Sequence, residues 1–199
     1  MFFKCKGSGG AVVTIDGVEV EDDLALSSKG SKDIDIGVLP YPFANGSASV
    51  LNEEIHIFGG YGSSYSTNHY KWNGSSWKKV STMPFSMVSG ESIVLNEEIH
   101  VFGDVTKHYK WNGSSWTSVS TLPIDFNNGG ALTLNEEIHI LYGKSHYKWN
   151  KSEWISVSTL PVTFYNSDAV VLDDKIYMLG GSSSTTSAYI IAIPIYVIE

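Results

Sequence analysis

Apolar and polar residues alternate in short runs along most of this chain, and the same runs return at a near-constant interval. LNEEIHIFGG starts at Leu51, LNEEIHVFGD at Leu95, LNEEIHILYG at Leu134 and LDDKIYMLGG at Leu172, intervals of 44, 39 and 38 residues. A second phrase, HYKWNGSSW, begins at His69 and His108 and returns as HYKWNKSEW at His146; SAYIIAIP, which holds Tyr189, is its degenerate fourth copy. Alternation with a period of two is the mark of a half-buried strand. Each unit therefore predicts four short strands, which in the second unit cover residues 92–95, 99–102, 108–111 and 116–120. The Asn-Gly pairs at 73-74 and 112-113 read as hairpin turns in which both residues take positive φ. With LNEE as the other turn, each unit is an up-and-down meander, and no helical period competes.

A four-stranded antiparallel meander repeated about every 40 residues is the plan of a β-propeller. The predicted fold class is all-β: a small propeller of four four-stranded units, at about 40–83, 84–122, 123–160 and 161–199, behind an N-terminal extension. In residues 1–31, GAVVTIDGVEVEDD alternates around Asp16-Gly17 and reads as a β-hairpin outside the repeat. A lone hairpin is marginal in water. It is expected to pack on a partner or another copy.

The spacing shows which part of the unit is free to change. From Pro40 to Leu51, Pro84 to Leu95, Pro123 to Leu134 and Pro161 to Leu172 the interval is always 11; from His69, His108 and His146 to the next proline it is always 15. Length varies only between the second and third strands, at residues 61–68, 104–107, 144–145 and 182–187. In a meander these loops share one end with the links between units, PYPFANG, PFSMVSG, PIDFNNG and PVTFYNS. Variable loops on a fixed scaffold carry recognition. The expected ligand-binding face is Phe43, Asn45, Tyr61, Tyr65, Met87, Phe126, Asn127, Phe164, Tyr165 and Asn166. On that reading, alanine at Phe126 and Phe164 together weakens binding and leaves the melting temperature nearly intact.

The Gly59-Gly60 doublet, followed by Tyr70 and then Trp77 seven residues later, resembles the kelch repeat, and Tyr109 with Trp116 and Tyr147 with Trp154 repeat the pattern. The likeness covers about residues 40–193. The doublet is intact at Gly180-Gly181, weakened to Gly103-Asp104 and displaced at Tyr142-Gly143, and the fourth unit has no Trp. The resemblance implies a propeller whose loop face binds ligand. Some kelch-like proteins are copper oxidases or sialic-acid mutarotases, but the copper type needs a cysteine bonded to a tyrosine, and Cys5 lies outside the repeats.

A net charge of -8, with 13 basic residues scattered along the chain, argues against a nucleic-acid partner, because phosphate contacts need clustered Lys and Arg. One cysteine permits no internal disulfide. The start, MFFKCKGSGG, has no apolar run of signal-peptide length, and no membrane insertion is expected. Since all six histidines fall on two repeat positions, they read as structure rather than a metal or catalytic site. The six tryptophans recur in the same way and read mainly as packing between units, against the alternative of a sugar-stacking ladder. The LNEE carboxylates read as solvated turns, against the alternative of a calcium site. Neither cofactor nor catalysis is expected.

The plan as a whole resembles tail or baseplate accessory proteins of phages and prophages of Gram-positive bacteria. That resemblance implies a non-catalytic virion protein, made in the bacterial cytoplasm, that binds a host-surface glycan or other tail proteins and can form homo-oligomers. The alternatives are a cytoplasmic interaction scaffold and a sugar mutarotase or lyase. The ring is expected to close through the chain ends, with residues 32–39 as the fourth strand of the last unit; the rival for that place is residues 195–199.

Overall fold

The computed structural model describes residues 38–180 and 191–194. The chain divides into two units, Met1–Asp35 and Ile36–Glu199, and every described residue belongs to the second. Strands and turns make up the described residues, without a helix. All sheets are antiparallel meanders: β1 (Ser47–Leu51), β2 (Glu54–Phe58), β3 (Asn68–Trp72) and β4 (Trp77–Thr82); then β5 (Glu91–Leu95), β6 (Glu98–Gly103), β7 (Val105–Trp111) and β8 (Trp116–Phe126). The third holds β9 (Gly130–Leu134), β10 (Glu137–Trp149) and β11 (Trp154–Phe164), and the fourth β12 (Ser167–Leu172), β13 (Lys175–Gly180) and β14 (Ile191–Pro194).

β10 fills two strand positions. Its residues 137–141 pair with β9, and from Gly143 onward it pairs with β11. In one extended strand His139 and His146 would stand about 23 Å apart. Their imidazoles instead share a 2.8 Å hydrogen bond, so the chain doubles back between them, with Gly143 at φ 60 in the bend.

The two hairpin turns exchange the roles expected of them. Leu51 pairs with Glu54, leaving a two-residue loop in which Asn52 (φ 51) and Glu53 (φ 62) are both left-handed. Asn96-Glu97, Asn135-Glu136 and Asp173-Asp174 repeat this. The Asn-Gly turns are wider, because Trp72 pairs with Trp77 and four residues lie between. There Asn73 Oδ1 accepts from the Ser75 and Ser76 amides, both at 3.1 Å, and only Gly74 has positive φ. The left-handed second position of the LNEE turns suits glycine, and a side chain there costs about 1–2 kcal/mol. Replacing the exposed Glu53, Glu97 and Glu136 with glycine is expected to add roughly 2 kcal/mol in total after the larger entropy loss of glycine, raising Tm by about 4–8 °C. A thermal melt in which the triple variant is no more stable than wild type refutes this.

The units stack in sequence order. β1 lies against β5, β5 against β9 and β9 against β12. Each step encloses an apolar cluster. Leu51, Phe58, Met83, Phe85 and Met87 meet Ile99, Val101 and Trp111; Phe102, Leu122 and Phe126 meet Ile138, Ile140 and Trp149; Leu132, Leu134, Leu141 and Phe164 meet Ala169, Ile176 and Met178. Strand alternation supplies this arrangement. One face of a unit, here the front, carries the Leu, Phe and His positions, and the back carries the Ile, Tyr and Trp positions that pack on the front of the unit before.

Histidines stitch the same interfaces. His56 with His69, His100 with His108 and His139 with His146 share imidazole hydrogen bonds of 2.8, 2.9 and 2.8 Å within their units. His69 then meets Trp111 edge-on at 5.0 Å, and His108 meets Trp149 at 5.3 Å. Ser120 Oγ bridges His108 Nδ1 at 2.9 Å and the Trp154 indole N–H at 3.0 Å, joining the second unit to the third. At the equivalent place the Ser81 hydroxyl donates to the Thr82 carbonyl, leaving His69 Nδ1 and Trp116 Nε1 without partners.

In the fourth unit Met178 pairs with Ile191, as Ile57 pairs with Tyr70. The third strand there is thus shifted from the expected alignment on Tyr189, and Ile191 holds the tyrosine position. The expected fourth strand over residues 32–39, and its rival at 195–199, fall largely outside the described residues; Val38 and Leu39 are described, are not in a strand, and are exposed.

Candidate functional site

The links and the second-to-third loops gather at one end of the units, as the meander requires. The link turns there are left-handed at Asn45 (φ 54), Ser89 (φ 59), Asn128 (φ 53) and Asn166 (φ 52). Main-chain bonds tie successive turns together: the Ser89 amide donates to the Asn45 carbonyl at 2.8 Å, Asn128 to Ser89 at 2.8 Å, and Ser167 to Asn128 at 3.3 Å. The base under the loops is therefore fixed by the backbone itself.

The longest of the described second-to-third loops rests on this base. Gly59 (φ 64) passes so close to the next link that a Cβ would stand 2.1 Å from the Met87 carbonyl oxygen, and the Gly60 amide donates to that oxygen at 2.7 Å. Beyond it, Tyr61 exchanges main-chain bonds with Ala44, and the Tyr61 and Tyr65 rings meet at 5.6 Å. A second aromatic pair, Tyr142 and Tyr165, lies between the third and fourth units with ring centroids 5.1 Å apart. Burial, then the neighbouring Tyr165 and Asp125, push the Tyr142 phenol above its ordinary range, so it remains a neutral hydroxyl.

The ten residues expected at this face separate into two layers. Tyr61, Tyr65 and Tyr165 are 45%, 67% and 43% exposed, and Asn45, Asn127 and Asn166 are exposed beside them. Phe43 is half-buried. Met87, Phe126 and Phe164, at 0%, 1% and 1%, are core side chains, which corrects the expectation that they meet ligand. The physical reason is a close turn three residues on: a Cβ at Gly46 would strike the Phe43 ring at 2.1 Å, one at Gly90 the Met87 side chain at 2.6 Å, and one at Gly129 the Phe126 ring at 2.5 Å. The large side chain folds back over the glycine and plugs the link. A small residue three places after the apolar one in every link, Gly46, Gly90, Gly129 and Ser167, was the signal for this. Tyr142 is not among the ten expected residues; it stands where the first glycine of the doublet is displaced.

At the opposite end, the second carboxylate of each LNEE turn pairs with the lysine of HYKW: Glu54 with Lys71 at 2.7 Å, and Glu98 with Lys110 and Glu137 with Lys148 at 2.9 Å. Among the described residues no three His, Cys, Asp or Glu side chains are grouped so as to hold a metal ion. The six histidines are buried. Desolvation first holds all six imidazoles below their ordinary 6.5, His69 and His108 at about 3 and His100, His139 and His146 at about 4. Buried, neutral and repeated in three units, they serve packing.

Neither a family model nor a curated protein matches this chain. Among solved structures 132 chains are similar. One of them, described as the structure of YjhT, a kelch-type β-propeller, shares 16% identity at a TM-score of 0.63 over 73% of this chain. This chain spans only 60% of the length of that structure. At such identity the likeness speaks for the fold alone, and the described part of this chain has a propeller-like all-β fold of antiparallel sheets.

Proposed function

We propose that this chain is a non-catalytic binding module of kelch-type units whose loop end engages a surface glycan or a structural protein, in the setting of a phage tail or baseplate. The tail setting rests on the sequence resemblance. The observation that carries the binding reading is the outer layer of the loop end, with Tyr61, Tyr65 and Tyr165 exposed above a base of buried Met87, Phe126 and Phe164. The longest of the described second-to-third loops, YGSSYSTN at residues 61–68, consists entirely of Tyr, Gly, Ser, Thr and Asn. Antibody recognition loops favour this chemistry: tyrosine gives amphipathic contact area at low entropy cost, while Ser, Gly and Asn give adaptable hydrogen bonds. Asn127 and the Tyr165-Asn166 pair add exposed side chains from two of the links.

A glycan array followed by titration of the best ligand tests this, with pull-down of co-encoded structural proteins as the parallel arm. Alanine at Tyr61, Tyr65 and Tyr165 together is expected to weaken binding at least about tenfold, the scale of one interface anchor. Because the three are exposed, Tm should stay within about 2 °C of wild type. If binding survives that triple variant and falls instead on replacing Glu53, Glu97 and Glu136 with glutamine, the opposite end is the binding face.

A further inference from the structure

We infer that copies of this chain associate head to tail, the front of the fourth unit of one copy docking on the back of the first unit of the next. The interface is one that the chain already builds three times within itself. On the front, Leu51, Leu95 and Leu134 are buried by the following unit, as are Phe58, Phe102 and Leu141. In the fourth unit the same two positions are Leu172 and Leu179, 58% and 38% exposed, and Val170 beside them is 41% exposed where Ile93 and Leu132 are buried. On the back, Ile99 and Ile138 are buried, as are Trp111 and Trp149, whereas the equivalent Ile55 and Trp72 of the first unit are only half-buried. Val50, in the same row, is 58% exposed.

The two faces therefore carry the two complementary halves of one repeated contact. Strand order within the chain does not bring them together, since β12 packs against β9 and is not set against β1 as the other first strands are set against one another. A second copy is the occupant that the repeat selects. It presents Ile, Trp and Val at the spacing that already seats on Leu and Phe fronts inside the chain, whereas an unrelated partner would have to reproduce that spacing. Such a contact uses different surfaces on the two copies and so joins them in rings or open chains. Two copies joined at both faces bring eight units, at the upper end of the range of about four to eight blades found in propellers.

Light scattering coupled to size exclusion, over a dilution series of the full chain, tests the inference. Wild type is expected to gain mass with concentration, and V50E and L172E are each expected to abolish the gain while keeping the wild-type melting temperature. Mixing is the decisive arm: V50E retains a working front and L172E a working back, so the two variants together should form a dimer that neither forms alone. The inference is overturned if wild type stays monomeric throughout, if association survives both substitutions, or if the mixture stays monomeric. It is equally overturned if V50E or L172E lowers the melting temperature at unchanged mass, which would mean that the chain covers these faces itself.

Discussion

Acidification is expected to unfold the described units cooperatively, with a midpoint of about pH 5. The cause is the three imidazole pairs, His56–His69, His100–His108 and His139–His146, buried between successive units. Burial first, and the partner imidazole or a neighbouring lysine next, keep His69, His108 and His146 from taking a proton until far below 6.5. The unfolded chain binds those protons at about 6.5. Between 6.5 and about 4 the unfolded state thus holds more protons than the folded one, and stability falls as the pH falls. Counting one imidazole per pair gives a loss of about 4 kcal/mol per pH unit, some 6 kcal/mol by pH 5, against a typical total of about 5–15. Tryptophan fluorescence and circular dichroism along a pH titration read the transition directly. The account fails if the thermal transition at pH 4.5 equals that at pH 7. Replacing His139 and His146 with asparagine should remove about a third of the pH slope, a change that a general charge effect on the acidic chain would not show.

These pairs also show what the sequence makes legible and what it leaves hidden. Recurrence of His56, His100 and His139 on one phrase, and of His69, His108 and His146 on another, is enough to mark them as structural. That the two sets touch depends on register: His69 lies opposite Phe58 and diagonal to His56, a relation set by the loop between β2 and β3, whose length changes in every unit. The tryptophans follow the same logic. Their alternation with tyrosine places them on one face, while the histidines of the preceding unit that they cover come from packing. The turns mislead for a local reason. Asn-Gly is the stronger hairpin signal, yet four residues separate Trp72 from Trp77, so the tight left-handed pair falls on Asn52-Glu53, where the side chain works against the geometry. At the candidate site, loop lengths place Tyr61, Tyr65 and Tyr165 at the loop end of the meander, where they are exposed, but length carries no information about depth. The same end therefore contains both the exposed Tyr165 and, one residue before it, the buried Phe164.

Truncating Phe126 or Phe164 is accordingly expected to destabilise the protein rather than to impair binding alone. Phe126 lies in the cluster between the second and third units, against Phe102 at 6.3 Å and Tyr142 at 6.2 Å, and Phe164 in the cluster between the third and fourth. Each ring ends an extended link that pairs back on its own unit, Phe126 opposite Val105 and Phe164 opposite Gly143, so its loss also frees the end of β8 or β11. Alanine at such a site costs about 3–5 kcal/mol, from lost burial and from a cavity that the close-packed link turn cannot collapse to fill. For a chain of this size that corresponds to a fall in Tm of about 6–20 °C per substitution. Because the two rings sit in different clusters, their costs should add to within about 0.5 kcal/mol, and the double variant should be largely unfolded at 37 °C. Tyr165→Ala is the internal control, one residue away and exposed, with an expected change in stability within about 0.5 kcal/mol. Thermal melts of wild type and the four variants decide the matter. If Phe126→Ala melts with wild type yet loses ligand, the ring belongs to the binding face after all, and the plug that Gly129 accommodates is not what holds the link.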